Sequence, residues 1–354
     1  GWRYGLIAAL VLFGFSCFAD EPVRKAPVCA KIPHQFQING QTIQDPYHWL
    51  REKENPKVKA YLRAENEYAD KVMSHTQDLR ETLIDEMTAR LEENDTDVPV
   101  QWGEYEYYSR TEEDEDYSIH CRKKEGSKGA KGEEEIVLNE NILAAGHDYF
   151  EMGAMAISPN QQMVAYAVDT NGTERYTLRV KDLKRQKLLN ESIPNVSTAL
   201  AWGGDNKTLF YAVLDDTNRP HRVYRHTLGD DTQRDALVYE EKDEAVYLYP
   251  GNTKSLEYVV LTMERNNHVA EVRYLKSDTP AGEFRMLRPR EPGLEYQAEQ
   301  IGDKFYIITN DKAFNSRLVS APISDPGPAN WKEVLPNRDD HKLESLDVFA
   351  DHVV

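Results

Sequence analysis

Basic residues are in deficit in this sequence. Its 354 residues include 43 lysines and arginines against 61 aspartates and glutamates, which gives a net charge of −18. Such an acidic chain is a poor partner for nucleic acid or for an anionic membrane surface, because both carry the same sign of charge. The balance is compatible with cationic ligands, although surface acidity also serves simply to keep a protein soluble.

Motifs for catalysis and for cofactor binding are missing as well. No G-x-S-x-G element, which places a catalytic serine on a sharp strand-to-helix turn, occurs in the chain. The acidic run at 112–116 lacks the ligand spacing and the glycine of an EF-hand loop. His221 and His226 lack the accompanying carboxylate or cysteine ligands that are typical of a metal site, so we expect both to have surface roles. We therefore assign no catalytic residue, no metal ligand and no cofactor to this chain.

The sequence has no apolar run long enough to span a bilayer comfortably. Its one strongly apolar stretch, Leu6–Phe15, follows a positive residue and precedes small ones, which is typical of a signal peptide. We expect residues 1–19 to be removed and the protein to be periplasmic or secreted, with lipid attachment at Cys17 as the less suitable alternative. Cys29 and Cys121 then remain, and the sequence leaves open whether they pair or stay free.

What the chain does contain is a series of short strand patterns joined by tight turns. Four of them follow one another between Ala154 and Leu189. The second, Met163–Val168, is almost wholly apolar, which is typical of a strand buried on both faces. The third, Tyr176–Val180, alternates with a period of two. Four strands in so short a span predict one small antiparallel sheet, which cannot bury both of its faces alone.

The same order of strands repeats at intervals of roughly 40–50 residues, the spacing of β-propeller blades. A more polar copy runs from Trp102 to Leu138, and another opens at Leu343 and stops after two strands at Val354. We therefore predict a mainly β fold, a β-propeller that is incomplete in this chain. A string of separate β-sandwiches is the alternative, but sandwiches should not repeat at intervals of one sheet. The predicted buried strands of the later copies are Leu209–Val213, Tyr258–Leu261 and Phe305–Ile308.

A hairpin around Asn39-Gly40 and two helices are predicted before the blades. Asn55 is a favourable N-cap, and Pro56 stands at the first helical position. A propeller does not need a helical prefix, so the apolar faces of these helices indicate a second body against which they pack. The residues that mark the faces are Val58, Tyr61, Leu62, Tyr68 and Val72 in the first helix, and Leu79, Leu83, Met87 and Leu91 in the second.

Short sequences spread from about Ile32 to Val354 resemble those of the prolyl oligopeptidase family, serine peptidase family S9. Within that family they are most similar to oligopeptidase B rather than to the proline-specific branch. No single one is a catalytic signature, but their order and spacing together make chance similarity improbable. The sequences are DPYHWLR (45–51), NEY (66–68), YY (107–108), HCRK (120–123), LNEN (138–141), GHDYF (146–150) and VYEEKD (238–243).

The resemblance implies a seven-bladed propeller set over an α/β-hydrolase domain whose Ser-Asp-His triad lies beyond Val354. It implies that the helical segment packs on that domain and that the propeller admits short peptides while excluding folded proteins. Oligopeptidase B-like enzymes cleave after Lys or Arg, so the implied partners are short basic peptides and the protein's own hydrolase domain. Glu174 and Arg175, in the turn before the third strand of the 154–189 sheet, are our candidates for gating or interdomain contact, with solvated turn charges as the alternative.

The expected organisation is a signal peptide at 1–19, an extended and helical segment at 20–95, and a truncated propeller at 96–354. The chain begins with Gly and ends within a strand pattern, so we expect an inactive fragment of a serine endopeptidase. A non-catalytic propeller that binds proteins in the cell envelope is the alternative function. The helical segment favours the peptidase.

Overall fold

The computed structural model describes most of the chain and divides it into two compact units, with the boundary between Glu92 and Glu93. The predicted signal peptide at 1–19, including Cys17, lies outside the described residues. The described ranges are 25–125, 131–266, 268–349 and 352–354.

The two cysteines of the described residues do not pair. Cys29 and Cys121 are both free thiols. Burial raises the pKa of the Cys121 thiol to about 11.

The first unit begins with a hairpin. Strands β1 (Gln35–Ile38) and β2 (Gln41–Gln44) pair in antiparallel fashion around a two-residue turn, as the sequence predicts. Asn39 and Gly40 form that turn with φ of 49° and 77°. Both angles are positive, as a tight hairpin turn requires, and Asn and Gly are the residues that tolerate them best.

Two helices follow the hairpin. Helix α1 (Pro56–Met73) begins as predicted, because the Asn55 side chain accepts a hydrogen bond from the amide of Lys57. Helix α2 (Gln77–Thr88) ends earlier than the apolar spacing suggests, so the prediction that Leu91 continues its stripe is wrong. The amide of Leu91 donates to the carbonyl of Thr88, a tight turn that closes the helix. The 3-10 helices of this unit are His48–Arg51 and Ser74–Thr76.

The apolar faces of α1 and α2 lack cover among the described residues. Leu62, Leu83 and Met87 are 52%, 46% and 57% exposed. Tyr68 is half-buried, and Val58 is the one residue of α1 that is buried. Uncovered leucine and methionine side chains at regular helical spacing are the arrangement that the sequence predicts for helices without their partner.

The second unit is a series of four-stranded antiparallel blades, here called blades 1 to 5. Blades 1, 4 and 5 are separate sheets, whereas blades 2 and 3 share one strand and form a single seven-stranded sheet. Blade 1 contains β3 (Val100–Trp102), β4 (Tyr105–Arg110), β5 (Ile119–Glu125) and β6 (Lys131–Asn139), followed by the short helix α3 (Glu140–Ala144). Blade 2 contains β7 (Glu151–Ile157), β8 (Met163–Asp169), β9 (Tyr176–Asp182) and the first half of β10 (Lys187–Trp202). The second half of β10 opens blade 3, which continues with β11 (Thr208–Leu214), β12 (Pro220–Thr227) and β13 (Ala236–Glu240). Blade 4 contains β14 (Val246–Asn252), β15 (Tyr258–Arg265), β16 (His268–Lys276) and β17 (Arg285–Arg288), and blade 5 contains β18 (Tyr296–Ile301), β19 (Lys304–Thr309), β20 (Arg317–Pro322) and β21 (Lys332–Leu335). The 3-10 helices of this unit are Thr232–Arg234 and Pro328–Asn330.

The predicted repeat is confirmed in its central feature. The four strongly apolar segments fall on β8, β11, β15 and β19, the second strand of four successive blades. Every residue of β8 after Met163 is buried, and β9 alternates between buried and half-buried residues. The two further strands predicted after Leu343 are reduced, among the described residues, to a short antiparallel pairing. Val348 and Val353 form an isolated bridge, and Asp347 and Val354 exchange backbone hydrogen bonds beside it.

Blades 2 and 3 are joined without a separate connection, which the sequence does not reveal. Strand β10 pairs with β9 in blade 2 and with β11 in blade 3. The crossover lies at Val196, which pairs with both Tyr176 and Val213. Asn195 precedes it with φ of 60°, a left-handed conformation that lets the strand bend from one blade into the next.

The core lies between the blades rather than within them. Residues of blades 1 and 2, 2 and 3, 3 and 4, and 4 and 5 form four separate apolar clusters. Strand β11 contributes to two of them, because Phe210 packs toward blade 4 while Leu209 and Tyr211 pack with residues of blade 2. Each of the inner blades 2 to 4 therefore buries one apolar face against each of its two neighbours, because a single small sheet cannot bury both faces by itself.

Polar side chains tie the blades together where no strand ladder does. The indole N–H of Trp202 in blade 3 donates to the carbonyl of Ala156 in blade 2 at 2.9 Å. The amide side chain of Asn252 in blade 4 accepts from the backbone N–H of Trp202 and donates to its carbonyl, at 2.9 and 2.8 Å. These contacts span blades 2, 3 and 4 and therefore help to fix their spacing.

The clusters between blades predict a large effect of truncating Phe210, which is fully buried and stands edge-on to Phe284 with ring centroids 5.7 Å apart. We expect Phe210→Ala to lower the free energy of unfolding by about 3–5 kcal/mol, since it leaves a cavity between two blades. Tyr247→Ala, at an exposed residue of β14, is the control and should change it by less than about 0.5 kcal/mol. Chemical denaturation measures both, and equal effects of the two changes would contradict a core placed between blades.

Candidate functional site on the connection face

The loops of the second unit fall on two opposite faces. Because strands alternate in direction, the loops that join second to third strands lie at the same end as the links from one blade to the next. We call this end the connection face. The chain also enters the second unit there, since the amide of Asp97 donates to the carbonyl of Ser109 at the end of β4. The face includes the loops at 111–118, 170–175, 215–219 and 310–316 and the links at 241–245 and 289–295.

Both residues proposed from the sequence lie on this face. Glu174 is exposed, takes φ of 58°, and donates its backbone N–H to the buried carboxylate of Asp169 at 2.7 Å. Arg175 is half-buried, and its Nη2 donates to the carbonyl of Asp215 in blade 3 at 2.7 Å. Arg175 therefore braces blade 2 against blade 3, whereas the Glu174 side chain points into solvent and is the one available to a ligand or a partner.

A second arginine makes the corresponding tie between blades 3 and 4. Arg219 is buried, its Nε donates to the Asp215 carboxylate at 3.0 Å, and its Nη1 donates to the carbonyls of Asp243 and Val246. Burial alone would raise the pKa of Asp215, but hydrogen bonds from Thr217 and Arg219 outweigh it and hold that pKa far below its ordinary value. Asp215 therefore stays ionised and keeps Arg219 in place.

Two buried carboxylates lie close together near the link from blade 3 to blade 4. Glu241 is in the link, and Glu271 is in strand β16. Glu241 and Glu271 are 4% and 3% exposed. Arg290 reaches both, with Nη2 2.6 Å from Glu241 and Nε 3.5 Å from Glu271, and the Nε of Arg273 lies 2.8 Å from Glu271. Buried carboxylates are costly unless guanidinium groups compensate them, so removing Arg290 would leave an unpaired buried charge.

A cavity of about 490 Å³ opens beside this cluster. Asp243, Arg265, His268 and Arg290 line it together with the link at 291–295. Both signs of charge line this space, and they are paired with one another, Arg265 with Asp243 and His268 with Glu295. On the opposite face a larger cavity, of about 910 Å³, lies between blades 1 and 2, where Arg122 covers the ring of Tyr105.

The structure also shows a series of three side chains linked by hydrogen bonds, which the sequence analysis did not predict. The hydroxyl of Ser109 lies 3.0 Å from Nδ1 of His120, and Nε2 of His120 lies 2.7 Å from the Glu140 carboxylate. Ser109 and His120 are opposite partners in the β4–β5 ladder, so their contact follows from strand register. Ser109 is part of a regular strand and not of a strand-to-helix turn, and the series links α3 to blade 1. The sequence signal was the HCRK and LNEN motifs, which hold His120 and Glu140.

The expectation of a surface role for His226 is wrong. His226 is fully buried, and its Nδ1 lies 2.8 Å from the Asp235 carboxylate, which also accepts from the hydroxyl of Tyr211. Asp235 follows nine residues later, beyond the turn that ends β12, so local spacing does not reveal the pair. His221, at the other end of β12, is half-buried.

Neither a metal centre nor a membrane span is found within the described ranges. No group of three or more His, Cys, Asp or Glu side chains there is arranged to hold a metal ion. No helix among the same residues is long and apolar enough to cross a bilayer. The acidic run at 112–116 is exposed in the loop between β4 and β5.

Curated proteins similar to this chain are peptidases. Dipeptidyl aminopeptidase BI from Pseudoxanthomonas mexicana is 36% identical over 97% of this chain and 50% of its own length. Protease 2 from Moraxella lacunata is 31% identical over 93% of this chain and 48% of its own length. The chain thus spans about half the length of these relatives.

Solved structures agree with the fold. Oligopeptidase B from Leishmania major matches with a TM-score of 0.84 and 25% identity over 93% of this chain and 48% of the other. Oligopeptidase B from Trypanosoma brucei, described with covalently bound antipain in a closed form, matches with a TM-score of 0.83 and 27% identity over 93% and 49%. Residues 27–354 match the family profile described as the prolyl oligopeptidase N-terminal beta-propeller domain. The match corresponds to the N-terminal half of these relatives, which contains the propeller. With its repeated blades and helical prefix, this chain belongs to the prolyl oligopeptidase family of peptidases.

Proposed function

We propose that this chain is the gating half of an exported serine oligopeptidase that hydrolyses short peptides after Lys or Arg. The observation that carries the proposal is the family match over residues 27–354, together with peptidase relatives about twice as long. Since the chain contains no G-x-S-x-G element, the Ser-Asp-His triad belongs to the remainder of the protein in this proposal. The partners are then short basic peptides and the protein's own α/β-hydrolase domain.

The physical role of the propeller is that of a rigid filter. Apolar clusters between blades and arginine ties across them oppose any separation of the blades. A rigid cover excludes folded proteins from an active site and limits the access of water, while short peptides still pass. The net charge of −18 attracts basic peptides over the distance of a Debye length and so favours their encounter with the site.

A second candidate activity rests on one relative. Dipeptidyl aminopeptidase BI is 36% identical over nearly all of this chain, and its name describes removal of dipeptides from an amino terminus. Such an enzyme needs the same triad, but it also needs a group that binds the free peptide amine. The exposed carboxylate of Glu174 has the charge for that contact.

Activity should require the full-length protein. We expect purified 1–354 to leave a short fluorogenic peptide ending in Arg intact, because serine-type hydrolysis needs a nucleophile, a base and an oxyanion hole together. The full-length protein should cleave after Lys and Arg, which a fluorescence assay measures directly.

The substrate panel separates the alternatives. Peptides with a blocked amino terminus, a free amino terminus, or Pro in place of Arg test endopeptidase, dipeptidyl and proline-specific activity. Cleavage after Pro alone would reject the proposed specificity, and turnover that stays with repurified 1–354 would reject the assignment of the active site to the other half.

The helical segment should bind the catalytic half. We expect Leu83→Asp or Met87→Asp to lower the free energy of unfolding of the full-length protein by about 1.5–3 kcal/mol, since each exposes or charges a buried apolar contact. The same changes should alter 1–354 by less than about 0.5 kcal/mol, because both side chains are already exposed there. Glu81→Ala, on the opposite side of α2, is the control, and equal effects in the two forms of the protein would exclude the contact.

Export should leave a mature protein that begins near Asp20. The proposal rests on the positive residue Arg3 and the apolar stretch Leu6–Phe15. Intact-mass measurement of the protein recovered from the periplasm or the medium checks it. A mass that includes residues 1–19, or a lipid adduct at Cys17, would exclude cleavage at this position.

A further inference from the structure

One aromatic side chain on the connection face is almost fully exposed to solvent. Phe314, in the 310–316 loop of blade 5, is 95% exposed. By contrast Phe150, Phe210 and Phe305 in the same unit are all buried. A single exposed apolar residue is common in proteins, so exposure by itself assigns no role. A role for Phe314 requires in addition that the loop hold its backbone firmly in that position.

Backbone hydrogen bonds brace both sides of Phe314. The amide of Ala313 donates to the carbonyl of Asn310 at 3.0 Å, and the Ala313 side chain is buried. Asn315 donates its amide to the Asn337 side chain at 2.9 Å and its own side-chain N–H to the carbonyl of Arg338 at 2.8 Å. Phe314 therefore stands between two anchored residues and is not the tip of a loose loop.

Two further features set the loop conformation. Lys312 and Ser316 have φ of 56° and 63°, a left-handed conformation that residues other than glycine adopt at a cost in free energy. At the base of the loop, Asp311 lies between two guanidinium groups, with Arg317 Nη2 at 3.1 Å and Arg288 Nη1 at 3.5 Å. Strained backbone held by partly buried ion pairs indicates that this loop keeps the backbone at Phe314 in one defined conformation.

We propose that Phe314 is a closure anchor, an aromatic side chain that inserts into an apolar recess of the catalytic half when the propeller covers it. The proposal rests on the proposed function. Buried aromatic residues are frequent energetic centres of protein interfaces. A ring on a braced backbone loses less conformational freedom on docking than one on a mobile loop, because the backbone is already ordered.

Three observations favour the catalytic half of the same protein as the occupant. The relatives are about twice as long as this chain, so a body of similar size is available. The chain enters the propeller at the face that carries Phe314. One solved relative, oligopeptidase B from Trypanosoma brucei at 27% identity, is described in a closed form. A basic peptide, in contrast, would be held mainly by carboxylates and not by one isolated ring.

The test uses the full-length protein with three single changes. Phe314→Ala removes the ring, Phe314→Leu keeps an apolar side chain, and Lys312→Asn is the control in the same loop, since Asn tolerates a left-handed conformation. Small-angle scattering with a covalently bound peptide-aldehyde inhibitor measures compaction, and kcat/KM on a short Arg peptide measures turnover. Thermal unfolding checks that each variant is folded.

Phe314→Ala should lower kcat/KM about tenfold and shift the inhibitor-bound protein toward the expanded form, the loss typical of one truncated interface anchor. Phe314→Leu should restore most of both, and Lys312→Asn should stay within about twofold of the unchanged protein. Unchanged scattering and kcat/KM in Phe314→Ala would overturn the proposal. Unchanged scattering with a raised KM would overturn it too, by making Phe314 a contact for peptide. If the unchanged protein compacts with inhibitor yet cleaves no Lys or Arg peptide, the proposed function fails while scattering still decides the role of Phe314.

Discussion

Each blade has two apolar faces, and neither can be buried within the blade. This constraint explains why the chain repeats the same small sheet and why its core is divided into clusters between blades. It also explains the composition of the second strands, since β8 and β11 contact neighbours on both faces and are apolar almost throughout. The stability of any one blade therefore depends on the blades beside it.

Polar contacts then fix how the blades are spaced. Trp202 and Asn252 join the first strands of blades 2 to 4, while Arg175 and Arg219 join successive blades on the connection face. Each of these side chains pairs with a backbone carbonyl or amide of a neighbouring blade, so the ties brace one blade against the next. This many ties oppose the separation of the blades, which is what the proposed role as a filter requires.

Among the described residues, two of the exposed apolar features are the subject of proposals above. The faces of α1 and α2 are uncovered, and Phe314 is held outward by a braced loop. Neither is needed to bury the blades, and both would gain free energy from a partner surface. In a family whose members are about twice as long, the remainder of the protein is the natural candidate for both, although the two features need not contact the same part of it.

The sequence by itself determined the repeated sheets, the apolar second strands, the turn at Asn39-Gly40 and the N-cap at Asn55, because these depend on residues close together in the chain. Only the tertiary structure decided the contacts of the candidate site. Arg175 meets a carbonyl 40 residues away, His226 pairs with Asp235 across a turn, and Ser109 meets His120 through strand register. It also decided that β10 crosses between blades 2 and 3 and that α2 ends before Leu91. Local preference sets which segments become strands and helices, whereas the packing of one blade on the next sets which of their side chains meet.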